Sequence, residues 1–448
     1  MQIKTIVLAA AMLGVLPLAC HATQVSQACL ARPAGLLDAL VHGDYAAANE
    51  AFSPPAGKVL TAAKLEAAWS QLQETYGAYR KHGASLSQTF QGGNVVITPV
   101  TFAVESLNLL TACDASNRLT MIYFTPSTAG AAPASVQAHA EADGVRVAPL
   151  DVASPLGPLR GALTLPAGKG PFPAVVLVAG SGPNDLDETV GGSKPFRDIA
   201  EGLARAGIAS LRYDKRTRDY GLKAAANPRF TVDDEVTDDA LTALHLLAKQ
   251  KGIDPHRVFV LGHSLGAQMA PRIAQRDPQL AGVVMLAAPA RPLLSVIAEQ
   301  AREQGIRHGA DKARIEADLK AIAGERALLD KADPAHPPPG KFGIFTQAYL
   351  MSLHGYHQVA VARSLTEPML ILQGGSDFQV SPAKDFDTWK KALAGKSDVT
   401  FRLFPGLSHL FTPAGKTLTA ADYTAPAHVD PAVIETIANW IKAQLPAK

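Results

Sequence analysis

Leu261-Gly262-His263-Ser264-Leu265-Gly266-Ala267 follows the apolar run Arg257-Val258-Phe259-Val260 and opens a helix-compatible segment that ends near Gln275. A serine with glycines two residues to either side, set between a strand and a helix, fits a sharp turn. That turn pushes the hydroxyl above a sheet and leaves no room for larger flanking side chains. The pentapeptide alone recurs by chance in long chains, so the flanking strand and helix carry the reading. Ser264 is the candidate nucleophile.

A serine hydroxyl needs a base within hydrogen-bond reach, and the base needs an orienting acid. On this strand-turn-helix pattern the acid follows a late strand and the histidine comes after the last one. Pro368-Met369-Leu370-Ile371-Leu372-Gln373 reads as a buried strand and leads into Gly374-Gly375-Ser376-Asp377. Val399-Thr400-Phe401-Arg402-Leu403-Phe404 leads into Pro405-Gly406-Leu407-Ser408-His409. Asp377 and His409 are the candidates. An isolated Asp in a Gly-rich loop is usually a turn former, and only the position after two late strands lifts this one.

Acyl transfer builds negative charge on a carbonyl oxygen, which calls for two aimed backbone N–H groups. Leu265, at the start of its helix, supplies one. The second is expected from Gly180-Ser181-Gly182, with the Ser181 N–H favoured and Gly182 as the alternative. His263, beside the nucleophile, reads as packing. Asn184-Asp185-Leu186-Asp187-Glu188 lacks Ca-loop spacing and any histidine, so it reads as a solvated or loop-bracing run and not as a metal site. Arg212-Tyr213-Asp214-Lys215-Arg216 reads as a salt-bridged loop.

Together, Ala179-Gly180-Ser181-Gly182-Pro183-Asn184-Asp185, Gly192-Ser193-Lys194-Pro195-Phe196, Leu211-Arg212-Tyr213-Asp214-Lys215-Arg216, the turn at Ser264 and Gln373-Gly374-Gly375-Ser376-Asp377 carry a resemblance. It is to bacterial α/β-hydrolase carboxylesterases of the serine-aminopeptidase-like group, over about residues 143–448. The resemblance implies a serine hydrolase acting on short-chain carboxylic esters. Two positions depart from the pattern: Ala179-Gly180 stands where such enzymes often have His-Gly, and Leu186 where an arginine is common. Both bear on the expected acyl-side pocket.

At 448 residues the chain has room for two domains, and 47% hydrophobic against 18% charged residues is the balance of a globular protein. A net charge of +2, with no dense basic face, gives no argument for nucleic acid. Met1-Gln2-Ile3-Lys4, an apolar stretch from Ile6 to Leu18 and Cys20-His21-Ala22 read as a secretory signal over residues 1–22, placing the mature chain in the periplasm or outside the cell. The competing reading is a lipoprotein signal ending at Cys20, the one route by which this chain would meet a membrane. Pro17 counts against it. After cleavage at Ala22, Cys29 and Cys113 are the remaining thiols. They are expected to pair, with two buried free thiols as the alternative, and closing that loop would restrict the unfolded chain by about 4 kcal/mol.

Residues 23–124 read as a small α+β domain. A short helix carries Leu36-Leu37 and Leu40-Val41, and a longer one runs from Leu60 to Tyr79. Four strands between Ala84 and Phe124 follow. Trp69, Tyr76 and Tyr79, at helical spacing, are expected in its core. The helix-plus-sheet order resembles the domain of unknown function that often precedes such hydrolases. Residues 125–142, rich in Ala, Pro, Ser and Thr, read as a linker.

From Ala174 onward, apolar strands alternate with amphipathic helices, which implies a doubly wound, mostly parallel sheet covered on both faces. The alternation stops for about 80 residues between Leu286 and Pro368. A helical cap is expected at about 290–365, with Phe342 to Ala362 as an apolar helical pair. Phe345, Tyr349, Leu350, Met351 and Tyr356 either line a substrate pocket or pack the cap onto the body. No cofactor or metal is implied. Two other activities stay open: an amide hydrolase acting at amino termini, which would hold its ammonium with Asp185, Asp187 or Glu188, and a non-catalytic envelope binding protein on the same scaffold.

Overall fold

The computed structural model describes residues 25–90, 93–103, 106–126, 136–307, 309–310, 312–342 and 345–444. The signal expected over 1–22, with Cys20, and half of the 125–142 linker, residues 127–135, lie outside the described residues. The chain divides between Pro133 and Ala134 into two compact units.

In the first unit, helices α1 (Gln27–Val41), α2 (Tyr45–Glu50), α3 (Pro54–Val59) and α4 (Ala62–Tyr76) precede strands β1 (Tyr79–His82), β2 (Leu86–Phe90), β3 (Gly93–Phe102), β4 (Ser106–Cys113) and β5 (Leu119–Pro126). The Ser26 hydroxyl accepts from the Cys29 N–H at 3.1 Å and caps α1. The strands form an antiparallel sheet in the order β1-β3-β4-β5, with β2 also on β3. The longer helix stops three residues earlier than the apolar spacing predicts. Gly77, at φ +77°, breaks it, so Tyr79 starts β1. Leu36, Leu37, Leu65, Trp69, Leu72 and Tyr76 pack against Val100, Leu109 and Ile122, each buried side chain contributing about 1.5–3 kcal/mol. Tyr79 is half-buried, its ring 5.9 Å from that of Trp69.

Cys29 and Cys113 form a disulfide that joins α1 to the end of β4, with Cα atoms 6.1 Å apart. Reduction, or replacement of both cysteines by serine, is expected to lower the unfolding free energy of this unit by about 2–5 kcal/mol. Urea unfolding with and without reductant measures this, and superimposable curves would refute it.

The second unit runs through β6 (His139–Ala140), β7 (Arg146–Pro149), β8 (Gly161–Leu165), β9 (Phe172–Val178), α5 (Pro195–Arg205), β10 (Ala209–Tyr213), α6 (Arg216–Asp219), α7 (Gly221–Ala226), α8 (Asp238–Ala248), β11 (Ile253–His263), α9 (Leu265–Arg276) and β12 (Gly282–Leu286). Next come α10 (Leu293–Arg307), α11 (Lys312–Leu329), β13 (Lys341–Phe342), β14 (Phe345–Thr346), α12 (Gln347–His354), α13 (Gln358–Ser364), β15 (Met369–Gly374), α14 (Asp387–Ala392), β16 (Val399–Phe404) and α15 (Pro431–Ala443). Among the described residues the main sheet has nine strands in the order β16-β15-β12-β11-β9-β10-β8-β7-β6. From β10 to β16 the pairing is parallel, while β6, β7 and β8 are antiparallel additions at one edge. This is the α/β-hydrolase fold.

Alternate residues of the central strands supply two cores, which explains why those strands read as unbroken apolar runs. Val176, Val260, Val283 and Ile371 face the cluster covered by α8 and α9. Val175, Phe259, Val284 and Leu370 face the one covered by α5 and α15. Because the strands are parallel, the loops after β9, β11, β15 and β16 emerge along one edge, where ligands bind in open α/β sheets.

The insertion between β12 and β15 differs from expectation at its end. Phe342 and Phe345 pair in a hairpin instead of lying on a helix, because the Thr346 hydroxyl caps α12 and fixes the start of helix after them. Tyr349, Leu350, Met351 and Tyr356 are buried in the same cluster as the sheet, so they pack the insertion onto the body. Phe345 stacks on Tyr349 at 5.2 Å.

Candidate active site

Ser264 sits at φ +53°, ψ −115°, between β11 and α9. Holding a serine there costs about 1–3 kcal/mol, and the surroundings enforce it. Its N–H donates to the Leu286 carbonyl of the neighbouring strand at 2.9 Å, and its carbonyl accepts from the Gln268 N–H at 2.9 Å. A Cβ on Gly266 would lie 2.0 Å from the Val178 carbonyl oxygen, so α9 reaches β9 this closely only with glycine.

Asp377 follows β15 and His409 follows β16, both nearly inaccessible. The His409 Nδ1 hydrogen bonds Asp377 Oδ2 at 2.7 Å. The same oxygen accepts from the Gln373 amide at 2.9 Å, while Oδ1 accepts the N–H groups of Gln379 and Val380 at 2.7 and 2.9 Å. With four donors the carboxylate has one orientation. The two loops meet at Gly374, where a Cβ would stand 2.3 Å from the Ser408 carbonyl oxygen. Burial works to raise the Asp377 carboxyl, but the His409 ring and the Val380 N–H outweigh it and hold it below the usual range. Burial, reinforced by the charge on His263, pushes the His409 imidazole down to about 4 against the pull of Asp377.

His263 is not the packing residue that its place in the turn suggested. Its Nδ1 bonds Glu188 Oε1 at 2.9 Å and its Nε2 bonds the His409 carbonyl at 2.9 Å. Both partners present acceptor oxygens, an arrangement that favours the imidazolium form, which donates from both ring nitrogens. Burial opposes that charge, yet the Glu188 carboxylate outweighs it and raises the group above its ordinary value. The ring lies 4.7 Å from that of His409 and ties the nucleophile turn to the histidine loop. Glu188 also accepts from the Gly180 N–H at 2.6 Å. Sequence reasoning missed this pair because 75 residues separate its members, and no local spacing joins them.

Gly180 faces the nucleophile, since a Cβ built on it would lie 3.0 Å from Ser264 Cβ. Its carbonyl accepts from Lys215 Nζ at 2.8 Å and from the Asn184 amide at 3.0 Å. Ser181 follows it, and Leu265 takes the first position of α9. No hydrogen bond from either N–H is found among the described residues. The acidic run behind them braces the loop: Asp187 holds Arg212 and Lys194, and Asp185 takes both donors of Thr189. Leu186 packs with Val147 and Ala162 and sends its N–H to Asp214, which is clamped by Arg160 at 2.7 Å. The 212–216 run is therefore a set of buried ion pairs, Arg216 holding Asp239 as well. Among the described residues no cluster of histidine, cysteine and carboxylate is grouped to hold a metal.

Residues 190–412 match the family described as serine aminopeptidase, S33. That match covers just under half of the chain. It contains Ser264, Asp377 and His409, while the Gly180–Ser181 loop lies just ahead of it. The chain is 42% identical to the esterase EstD of Thermotoga maritima over 284 residues, which is 63% of this chain and 65% of that protein. The chain thus spans less than two thirds of its relative's length. Among solved structures, an esterase from Pyrococcus furiosus matches at 14% identity and TM-score 0.43, covering 67% of this chain and 91% of that one. Est1E from Butyrivibrio proteoclasticus matches at 16% identity and TM-score 0.41, covering 66% and 98%. These structural likenesses are too loose to argue from. The similarity to the S33 family and to EstD is one of sequence.

Proposed function

We propose that this chain is a carboxylesterase-type serine hydrolase that cleaves small carboxylic esters through Ser264, His409 and Asp377. The observation that carries this reading is the buried Asp377–His409 pair, tethered through His263 to the strained turn that presents Ser264. His409 takes the Ser264 proton as the hydroxyl attacks the ester carbonyl, and then gives it to the leaving alcohol. Asp377 keeps the imidazole in the tautomer that carries its proton on Nδ1. The N–H groups of Ser181 and Leu265 receive the oxyanion, and water repeats the cycle on the acyl-enzyme.

An ester is favoured over a peptide amino terminus because the acidic run is engaged within its own loop, and Glu188 Oε2, which has no partner among the described residues, is buried. Asp187 is bound by Arg212 and Lys194, Glu188 by His263 and Gly180, and Asp185 by Thr189. The esterase EstD, at 42% identity, points the same way. The leader-like residues 1–22 and the Cys29–Cys113 bridge support an oxidising envelope or extracellular location.

Wild-type protein is expected to react with a fluorophosphonate probe and to hydrolyse short acyl esters much faster than aminoacyl amides. A folded wild type that is not labelled would sink the enzyme reading. Faster cleavage of aminoacyl amides would transfer it to the peptidase.

A further inference from the structure

Lys215 is a buried cation whose ammonium does two things: it pairs with Glu235 at 2.9 Å and donates to the Gly180 carbonyl at 2.8 Å. Burying an ion pair brings little net stability, so its aim at a single carbonyl asks for a reason. That carbonyl belongs to the peptide unit whose other end is the Ser181 N–H. The unit is planar and trans, so the N–H points opposite to the C=O. Donors gripping the oxygen therefore set the direction of the N–H. The Asn184 amide takes the same oxygen at 3.0 Å, and Glu188 takes the Gly180 N–H at 2.6 Å, fixing the preceding peptide too. A cation on the carbonyl also draws electron density from the amide and makes its N–H a stronger donor. Glu235 is itself held by the hydroxyl of Tyr349 on α12, so the insertion contributes to the placement of Lys215. The Lys215 backbone N–H donates to the Asn184 carbonyl at 3.0 Å and joins the two loops.

We propose that Lys215 is a positioning residue for the oxyanion site, orienting and polarising the Gly180–Ser181 peptide so that its N–H meets the developing charge. The proposal rests on the serine hydrolase reading above and adds a group that touches neither substrate nor nucleophile.

The test compares wild type, Lys215→Met, Lys215→Arg and Asn184→Ala for kcat and KM on a short-chain ester, and for inhibition by an alkyl trifluoromethyl ketone. Ser264 Oγ adds to the carbonyl carbon of that ketone, its proton passes to His409, and the former carbonyl oxygen becomes the anion that the site must stabilise. Lys215→Met is expected to lower kcat by about 10 to 100-fold with KM nearly unchanged, and to weaken the ketone by the same factor. Lys215→Arg should recover part of both. A residue that only braced the loop would lower the melting temperature without matching losses in kcat and ketone affinity. Should Lys215→Met fail to fold, the milder Asn184→Ala carries the test, with an expected loss of about 3 to 10-fold in both quantities. A folded Lys215→Met, or failing that Asn184→Ala, with wild-type kcat and wild-type ketone affinity overturns the proposal alone. A wild type that neither hydrolyses the ester nor binds the ketone overturns the parent reading with it.

Discussion

Replacing Ser264 with alanine is expected to abolish labelling by fluorophosphonates and to lower kcat on a short-chain ester by about a million-fold. The change removes one oxygen from a position where the backbone is already held. The Leu286 carbonyl and the Gln268 N–H grip the Ser264 main chain, and Gly266 rests on Val178. Alanine therefore takes over the same strained conformation, and thermal unfolding should move little. Activity should fall to what the two oxyanion donors and binding alone provide, because His409 and Asp377 have no nucleophile to serve. A folded variant that kept more than about a thousandth of the wild-type kcat would show that the chemistry runs through another group.

The two halves of this site differ in how far the sequence disclosed them. Ser264, Asp377 and His409 each follow a strand whose apolar run is unmistakable, and parallel strands deliver their loops to one edge, so local pattern plus topology places them. The sheet was legible for the same reason: a strand buried on both faces has no polar alternation to confuse it. His263, Glu188 and Lys215 offered no such handle. Their partners are 146, 75 and 35 residues away for the His409 carbonyl, His263 and Gly180 respectively, and a charged residue in a loop is by default a solvated one. Only the folded chain shows that these charges are buried and aimed. The end of the insertion was misjudged for a local reason. Phe342 and Phe345 have helical spacing relative to Tyr349, but the Thr346 cap and the hairpin pairing of Lys341 with Thr346 override that periodicity.

Asp377→Asn tests the orientation of the base, and the structure says which way the new amide would turn. The oxygen now at Oδ1 accepts two backbone N–H groups, from Gln379 and Val380. An asparagine keeps both bonds only by placing its carbonyl there, which directs its NH2 toward His409 Nδ1 and the Gln373 amide. The amide then donates to Nδ1, the imidazole proton moves to Nε2, and the base has no lone pair for the Ser264 proton. The expected result is a fall in kcat of about 10⁴ with the fold intact. In wild type, one protonation of His409 removes the base, so kcat/KM should hold steady down to about pH 4 and then drop tenfold per pH unit. Stability follows the same sign. The unfolded chain takes a proton on this histidine near its ordinary value of about 6.5, whereas the folded imidazole resists until about 4, so stability declines as pH falls through that window. The Asp377 carboxylate, held below its ordinary value, contributes stability at neutral pH that disappears as acid titrates it. A pH profile of kcat/KM for both proteins, with thermal unfolding at each pH, measures all of this. An Asp377→Asn enzyme within tenfold of wild type would mean that His409 keeps its working tautomer without the carboxylate, and the pair would lose its assigned part in the chemistry.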